Sequence, residues 1–360
     1  MARIHSTVAI REKGLYTGHG LQRSVSRDSD LHNNESTDLG GLAVFHAYTI
    51  LTLSRYGFTS LFRLSLICGL IAAAYAQGVR ASQDTSPAVS NAAPLDLQVN
   101  AGYQFDDNVT RAGASPDQLS DQSLNLDLSK RLIFPLNANT RALLSFDLGG
   151  EKFRNFDGLS RFTAGVQGEW QYRSSAAFDA PTFALFGRVA AEQFQSALRD
   201  GYRYSVGVSV QQALTDRISL FGALSHNGRA ADNSVFDNQD NAVRLNLDYQ
   251  INAANTFYLG AEYRRGDSVT TTSPSSENAS IATALVQNDD AYSGRQLTSY
   301  RFDGETVLTT LGYNLALNAQ SSLDFSWRRI RTTPDLRENL ISVPSRYTAN
   351  QYLLVFLLRF

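Results

Sequence analysis

Arginine and carboxylate residues recur at every second position over long stretches of the chain beyond residue 95. Arg141, Arg161, Glu169, Arg188, Glu192, Arg203, Arg244, Asp248, Glu262, Arg264 and Arg328 fall on the polar phase of an alternating pattern, and Asp96, Asp127, Asp147, Arg301, Asp303, Glu305 and Asp324 are placed on it by the same count. Two kinds of chemistry follow. Such an array can line a wet pore and bias which solutes pass. It can also pair across the bore, where the planar guanidinium suits bidentate pairing, and hold a narrow wall rigid. Both signs are present in near balance: the chain has 34 Asp and Glu against 32 Lys and Arg. No nucleic-acid partner is advertised.

Other chemistries are poorly supplied. Cys68 is the single cysteine, and His5, His19, His32 and His46 all lie in the first fifth of the chain, leaving His226 alone afterwards. A Cys- or His-based metal cluster cannot be assembled from this set, and no cofactor is expected. Asp106, Asp107 and Asn108 in "FDDNVTR" offer oxygen ligands of the kind calcium takes. Asp and Asn are also ordinary turn formers, which is the preferred reading. Ser225-His226-Asn227 is the one cluster that resembles a hydrolase pair. Adjacent strand residues point to opposite faces, so Ser225 and His226 cannot meet as nucleophile and base.

The elements that position these residues are strands. "LDLQVNAGYQF" puts Leu95, Leu97, Val99, Ala101, Tyr103 and Phe105 on one face and Asp96, Gln98, Asn100, Gly102 and Gln104 on the other. A helix cannot use a period of two; a strand with unlike faces requires it. The pattern recurs around residues 124–128, 144–148, 162–172, 183–189, 202–210, 218–224, 243–251, 257–263, 298–315, 323–327 and 352–360. In the 298–315 stretch Tyr300 and Phe302 share one parity and Leu311, Tyr313 and Leu315 the other, which predicts a bulge near Gly304–Thr306.

Short links at 135–139, 215–217, 252–255 and 318–321 trade places with longer polar ones at 106–120, 228–238, 267–297 and 332–344. Many strands reach nine to eleven residues, enough to cross hydrocarbon when tilted, and apolar faces end repeatedly in Tyr or Trp, as interfacial girdles do. A soluble sandwich would have shorter strands and a polar outer face. The expected fold is all-β: a transmembrane antiparallel up-and-down β-barrel of about 12 strands with a polar lumen, over residues 95–360. The loop at 267–297 either folds into the lumen or lies on the surface.

Residues 54–76 carry the three-part grammar of a secretory signal: Arg55 and Arg63, an apolar run at 64–74, and Ala74-Tyr75-Ala76 as a small-x-small cleavage site. Residues 1–53 read as a disordered extension or a misassigned start, and 77–94 as a periplasmic spacer.

The ending "YLLVFLLRF" is similar to the terminal signal of bacterial outer-membrane barrels. Tyr352, Phe356, Leu358 and Phe360 are in phase, and the resemblance implies recognition by the barrel-assembly machinery. The opposite parity there, Leu353, Val355 and Leu357, is also apolar and raises the question of how open the lumen is. "AGYQFDDNVTRA" with "LSDQSLNLDLS" resembles the opening of the β-barrel porin 2 family, whose members are often linked to exopolysaccharide export. Together these imply an outer-membrane protein in contact with lipid. Its expected function is a porin-like passive channel for small hydrophilic solutes or saccharides, not an enzyme. The alternatives are a closed accessory barrel that works with polysaccharide or envelope export proteins, and an outer-membrane lipid hydrolase.

Overall fold

The computed structural model describes residues 96–286, 288–292, 294–335 and 346–360. The expectations for 1–53, 54–76 and 77–94 lie outside the described residues. In chain order the strands are β1 (Leu97–Asp106), β2 (Asp121–Pro135), β3 (Thr140–Phe153), β4 (Arg161–Arg173), β5 (Thr182–Phe194), β6 (Gly201–Ala213), β7 (Ile218–Ala231), β8 (Asn238–Gln250), β9 (Asn255–Thr272), β10 (Ala284–Val286), β11 (Thr298–Ala316), β12 (Ser321–Pro334) and β13 (Tyr347–Arg359). One short helix, α1 (Ser276–Ile281), precedes β10.

Twelve of these strands close into an antiparallel barrel, and β10 adds a short thirteenth beside β11. From β1 to β9, and from β10 to β13, each strand pairs with the next in sequence. Two further pairings finish the ring: β9 with β11, and β13 with β1, from Gln98↔Arg359 to Asp106↔Gln351. The backbone N–H of Phe360 adds a last bond to the Leu97 carbonyl at 2.9 Å. Closure is what lipid demands, because an open edge would leave backbone groups unpaired in hydrocarbon.

The distribution of apolar residues is inside out. Leu126, Leu185, Leu224 and Leu245 are each more than half exposed, while Asp147, Glu151, Glu192 and Glu262 on the opposite parity are buried. In water that arrangement would aggregate; around a barrel in lipid it places apolar side chains against hydrocarbon. The outward phase ends at the short links in Leu136, Leu214, Ile251 and Leu317, all exposed, which extends the apolar band to the rim. Three of those links share one construction: the Asn137, Asn252 and Asn318 side chains accept from the backbone N–H two residues on, at 2.8 to 3.0 Å.

The expected bulge in the long strand is absent. β11 keeps one register against β9 from Thr298↔Thr272 to Leu315↔Asn255. Apolar parity changes because the environment does. Below Gly304 the odd residues Val307 and Leu311 face lipid. Above it, the strand has passed beyond β8, whose pairing with β9 stops at Asp240↔Gly266. There both faces are buried, with Ser299 at 0% and Phe302 at 1% exposure. For the same reason Asp303 and Glu305 are not lumen residues: Glu305 faces outward in an ion pair with Arg265, at 3.6 Å. Arg301 bonds to Thr283 and to the Asp237 carbonyl.

Candidate functional site

At the end of the barrel carrying the long links, the loops form a folded cap. Its first part is the link after β1. Asp106, 2% exposed, receives both Arg111 guanidinium nitrogens (2.8 and 2.6 Å), the Asn108 backbone N–H (2.9 Å) and the Gln351 amide (2.7 Å). Asn108 donates to the Ala112 and Thr348 carbonyls and accepts from the Ala112 N–H. Asp107 ties the segment to β13 through the backbone and side chain of Asn350. "DDNVTR" is therefore a fold-back turn in which every polar side chain closes a bond. Arg111 sits at φ +56° to make it. Among the described residues no group of His, Cys, Asp and Glu could hold a metal ion.

This turn carries the link to the upper edge of β9, which β8 has vacated. The Thr110 carbonyl accepts from the Thr271 N–H at 2.8 Å, and Asp117 accepts from Thr272 and Ser273. Burial would raise the Asp117 carboxyl, but the Ser273 and Thr272 hydrogen bonds outweigh it and hold it below the usual range.

The second part is the link between β9 and β11, which folds over the barrel end. Ala291, Tyr292 and Leu297 bury themselves against Leu119 of the first link, with Val109, Phe156 and Leu159 packed alongside. The Tyr292 hydroxyl donates to the Val109 carbonyl at 2.9 Å. Asp289 receives Arg199, from the link between β5 and β6, in a bidentate pair, and also the hydroxyl of Ser299 at 2.5 Å. Asp290 accepts from Ser196. Arg199 Cζ sits over the Phe236 ring, 4.1 Å from its centre. Four separate links thus meet through this one segment. Burial would raise the Asp289 carboxyl, but the Arg199 hydrogen bonds and charge overcome it and hold the group below the ordinary range.

Beneath the cap lies the charged wall. Arg161 pairs with Glu151 at 3.0 Å and Glu192 at 3.5 Å; Arg203 and Arg229 reach the same Glu192 at 3.5 and 3.1 Å. Arg188 pairs with Asp147 at 2.7 Å. Arg244 and Arg264 share Glu262, and Arg264 lies 3.9 Å from Asp240. Arg328 meets the neutral Gln351 at 3.5 Å. Nearer the short links, Arg141 bonds to Gln171 and Gln171 to Glu169; Ser219 donates to Asp248, and Tyr258 donates to Asp324 at 2.7 Å. Most of these arginines are held to the wall by carboxylates.

The register places two further features of the sequence. Leu353, Val355 and Leu357 stand opposite Gln104, Gly102 and Asn100 on β1 and Ser326, Asp324 and Ser322 on β12, so the inward apolar stripe is one strand wide. His226 aligns with the outward Val206 and bonds to Asn241 at 3.1 Å, whereas Ser225 aligns with Gly207 on the inner face. The cap itself was not read from the sequence, beyond the excessive length of the 267–297 link.

Residues 90–309, more than half of the chain, match the family described as surface lipoprotein assembly modifier. No curated protein matches the chain. Among solved structures, an outer membrane channel from Pseudomonas putida F1 is similar over 77% of this chain and 100% of that one, at 11% identity and a TM-score of 0.47. The KdgM porin in complex with disordered oligogalacturonate covers 73% and 99%, at 11% identity and a TM-score of 0.41. The NanC porin covers 73% and 100%, at 12% identity and a TM-score of 0.40. The β-barrel porin 2 resemblance reaches as far as an outer-membrane barrel; the family matched is a different one.

Proposed function

The chain belongs to the surface lipoprotein assembly modifier family, and from that premise we propose that this bacterial outer-membrane barrel is a gated conduit, shut at rest by its own loops. The observation that carries the reading is the cap, in which four links are joined around Arg199 and Asp289 over a polar, charged wall. Eight-stranded barrels are filled by side chains and 16- to 18-stranded ones hold an aqueous channel. Twelve strands sit between, which suits small hydrophilic solutes or saccharides. A wall of paired arginines keeps such a bore polar without giving it a large net charge.

Planar-bilayer recording tests the reading. The wild-type barrel gives rare or no steps, and a barrel lacking residues 275–296 gives stable ones. Stable wild-type conductance would overturn the gate, and silence from both proteins would overturn the conduit.

The family match favours a second reading, an accessory barrel with a lumen that never opens. Surface lipoproteins are then the first client to test and exopolysaccharide the second. Deleting the gene would strip lipoproteins of surface exposure to protease while conductance stays absent. Lipid hydrolysis has little geometric support, since Ser225 and His226 lie on opposite faces of the wall. Tyr352, Phe356 and Leu358 share the outward face of β13 and Phe360 follows it in the same phase, and we assign the four to recognition by the assembly machinery. Loss of Phe360 should lower the folded fraction in cells more than in refolding with purified lipid.

A further inference from the structure

In one layer of the wall several guanidiniums compete for the same carboxylates. Around Glu192 three guanidiniums, Arg161, Arg203 and Arg229, meet two carboxylates, Glu192 and Glu151. Arg161 is satisfied by Glu151 at 3.0 Å, which leaves Arg203 and Arg229 to share what remains of Glu192. Arg203 has the poorest share: its contact is 3.5 Å long and its side chain is one-third exposed.

Arg203 is also crowded by like charge. It feels Arg161 and Arg188 on its own side, and Arg264, which stands on β9, three strands further round the ring. Positive charge from three strands thus converges on Arg203 at this level. Arg229 Nε is buried without completing a hydrogen bond, as is Glu192 Oε2, although the two atoms are 3.1 Å apart. Phe194 orders the cluster, with the guanidiniums of Arg161 and Arg229 at 5.5 and 4.9 Å from its ring centre. Arg229 Nη2 also donates to the Arg199 carbonyl at 2.6 Å, which places the layer immediately under the cap.

We propose that Arg203, with Arg161 and Arg229 beside it and Arg264 three strands round the ring, forms an anion-binding site under the cap that takes a carboxylate, sulfate or phosphate group of a soluble solute. A guanidinium with one long, shared ion pair gains a full charge-assisted pair when such a group enters. The anion also relieves the repulsion among these crowded arginines in a setting that water screens poorly. The site rests on the conduit reading for its purpose and names the solute class: anionic.

The test is calorimetric titration of tripolyphosphate into the folded full-length protein in detergent micelles at fixed ionic strength. Saturable binding to the wild type is expected, weakened about tenfold or more by Arg203→Gln and less by Arg203→Lys, with Arg141→Gln, nearer the short links, unchanged. Folding of each variant is checked by heat-dependent migration on gels, and the Lys variant serves if the Gln variant does not fold. Absence of saturable binding to the wild type, or equal weakening by Arg141→Gln, would overturn the site. Because binding is read without conductance, anion binding by a protein that stays silent even without residues 275–296 sinks the conduit reading alone, and a loop-deleted barrel that conducts while the wild type ignores the anion sinks this inference alone.

Discussion

Arg199 and Asp289, ninety residues apart in sequence, meet in a bidentate ion pair with Nη1–Oδ1 at 2.6 Å and Nη2–Oδ2 at 2.5 Å. The carboxylate side chain is fully buried and the guanidinium 7% exposed. Such a pair is weak evidence for net stability, but removing one partner strands the other charge and costs about 3–5 kcal/mol. Arg199→Ala should therefore release the 288–297 segment while leaving the strand ladder intact. Expected readouts are new conductance steps in bilayers and rapid protease cleavage between residues 273 and 297, with unchanged heat-dependent gel migration. A cap that stays protease-resistant would mean the apolar cluster around Tyr292 holds it without the pair.

Acid should open the cap. Asp289 and Asp117 are both held below the ordinary carboxyl range. A depressed folded-state pKa contributes stability that is present above the unfolded value, about 3.9 for Asp, and is lost as pH falls through the folded value. Protease sensitivity of the loops should be flat from about pH 5 to 8 and rise only below about pH 4. A transition near neutral pH would point to other groups.

Gly158 tests how closely the cap packs. A Cβ there would lie 2.3 Å from Ala291 Cα and 3.1 Å from its carbonyl carbon, so backbone would have to move. Gly158→Ala should loosen the cap as Arg199→Ala does. Gly168→Ala meets nothing within 4 Å and should change stability by no more than about 0.5 kcal/mol. Urea titration in lipid vesicles, with loop proteolysis alongside, separates the two.

What the sequence reveals and what it hides divides along this boundary. Strands announce themselves because lipid and lumen impose opposite demands on alternate residues, so Val206 and Val208 against Arg203 and Ser205 can be read locally. The cap depends on contacts such as Thr110–Thr271 and Tyr292–Val109, which carry no period and join distant links. Tyr300 and Phe302 misled for the same reason: a period-two rule assumes one environment per face, and above Gly304 both faces are buried in the cap. The charged phase was legible as a set, but which arginine lacks a full partner depends on register, as the three-way claim on Glu192 shows.

The closing strand offers the sharpest test of which face meets lipid. Leu353 and Leu354 are adjacent, apolar and central in β13, yet their neighbours differ. Leu354 aligns with Tyr103 and Phe325, both on the exposed outward face. Leu353 aligns with Gln104 and Ser326, both buried on the inner one. An arginine on the lipid face near the bilayer midplane costs about 2–4 kcal/mol, whereas lumen positions tolerate charge. Leu354→Arg should lower the folding midpoint in vesicles by that amount, and Leu353→Arg should cost less than half as much because Gln104 and Ser326 can solvate it. Equal losses would mean that the inner face of β13 is as dry as the outer one, and that Leu353, Val355 and Leu357 close the bore instead of lining it.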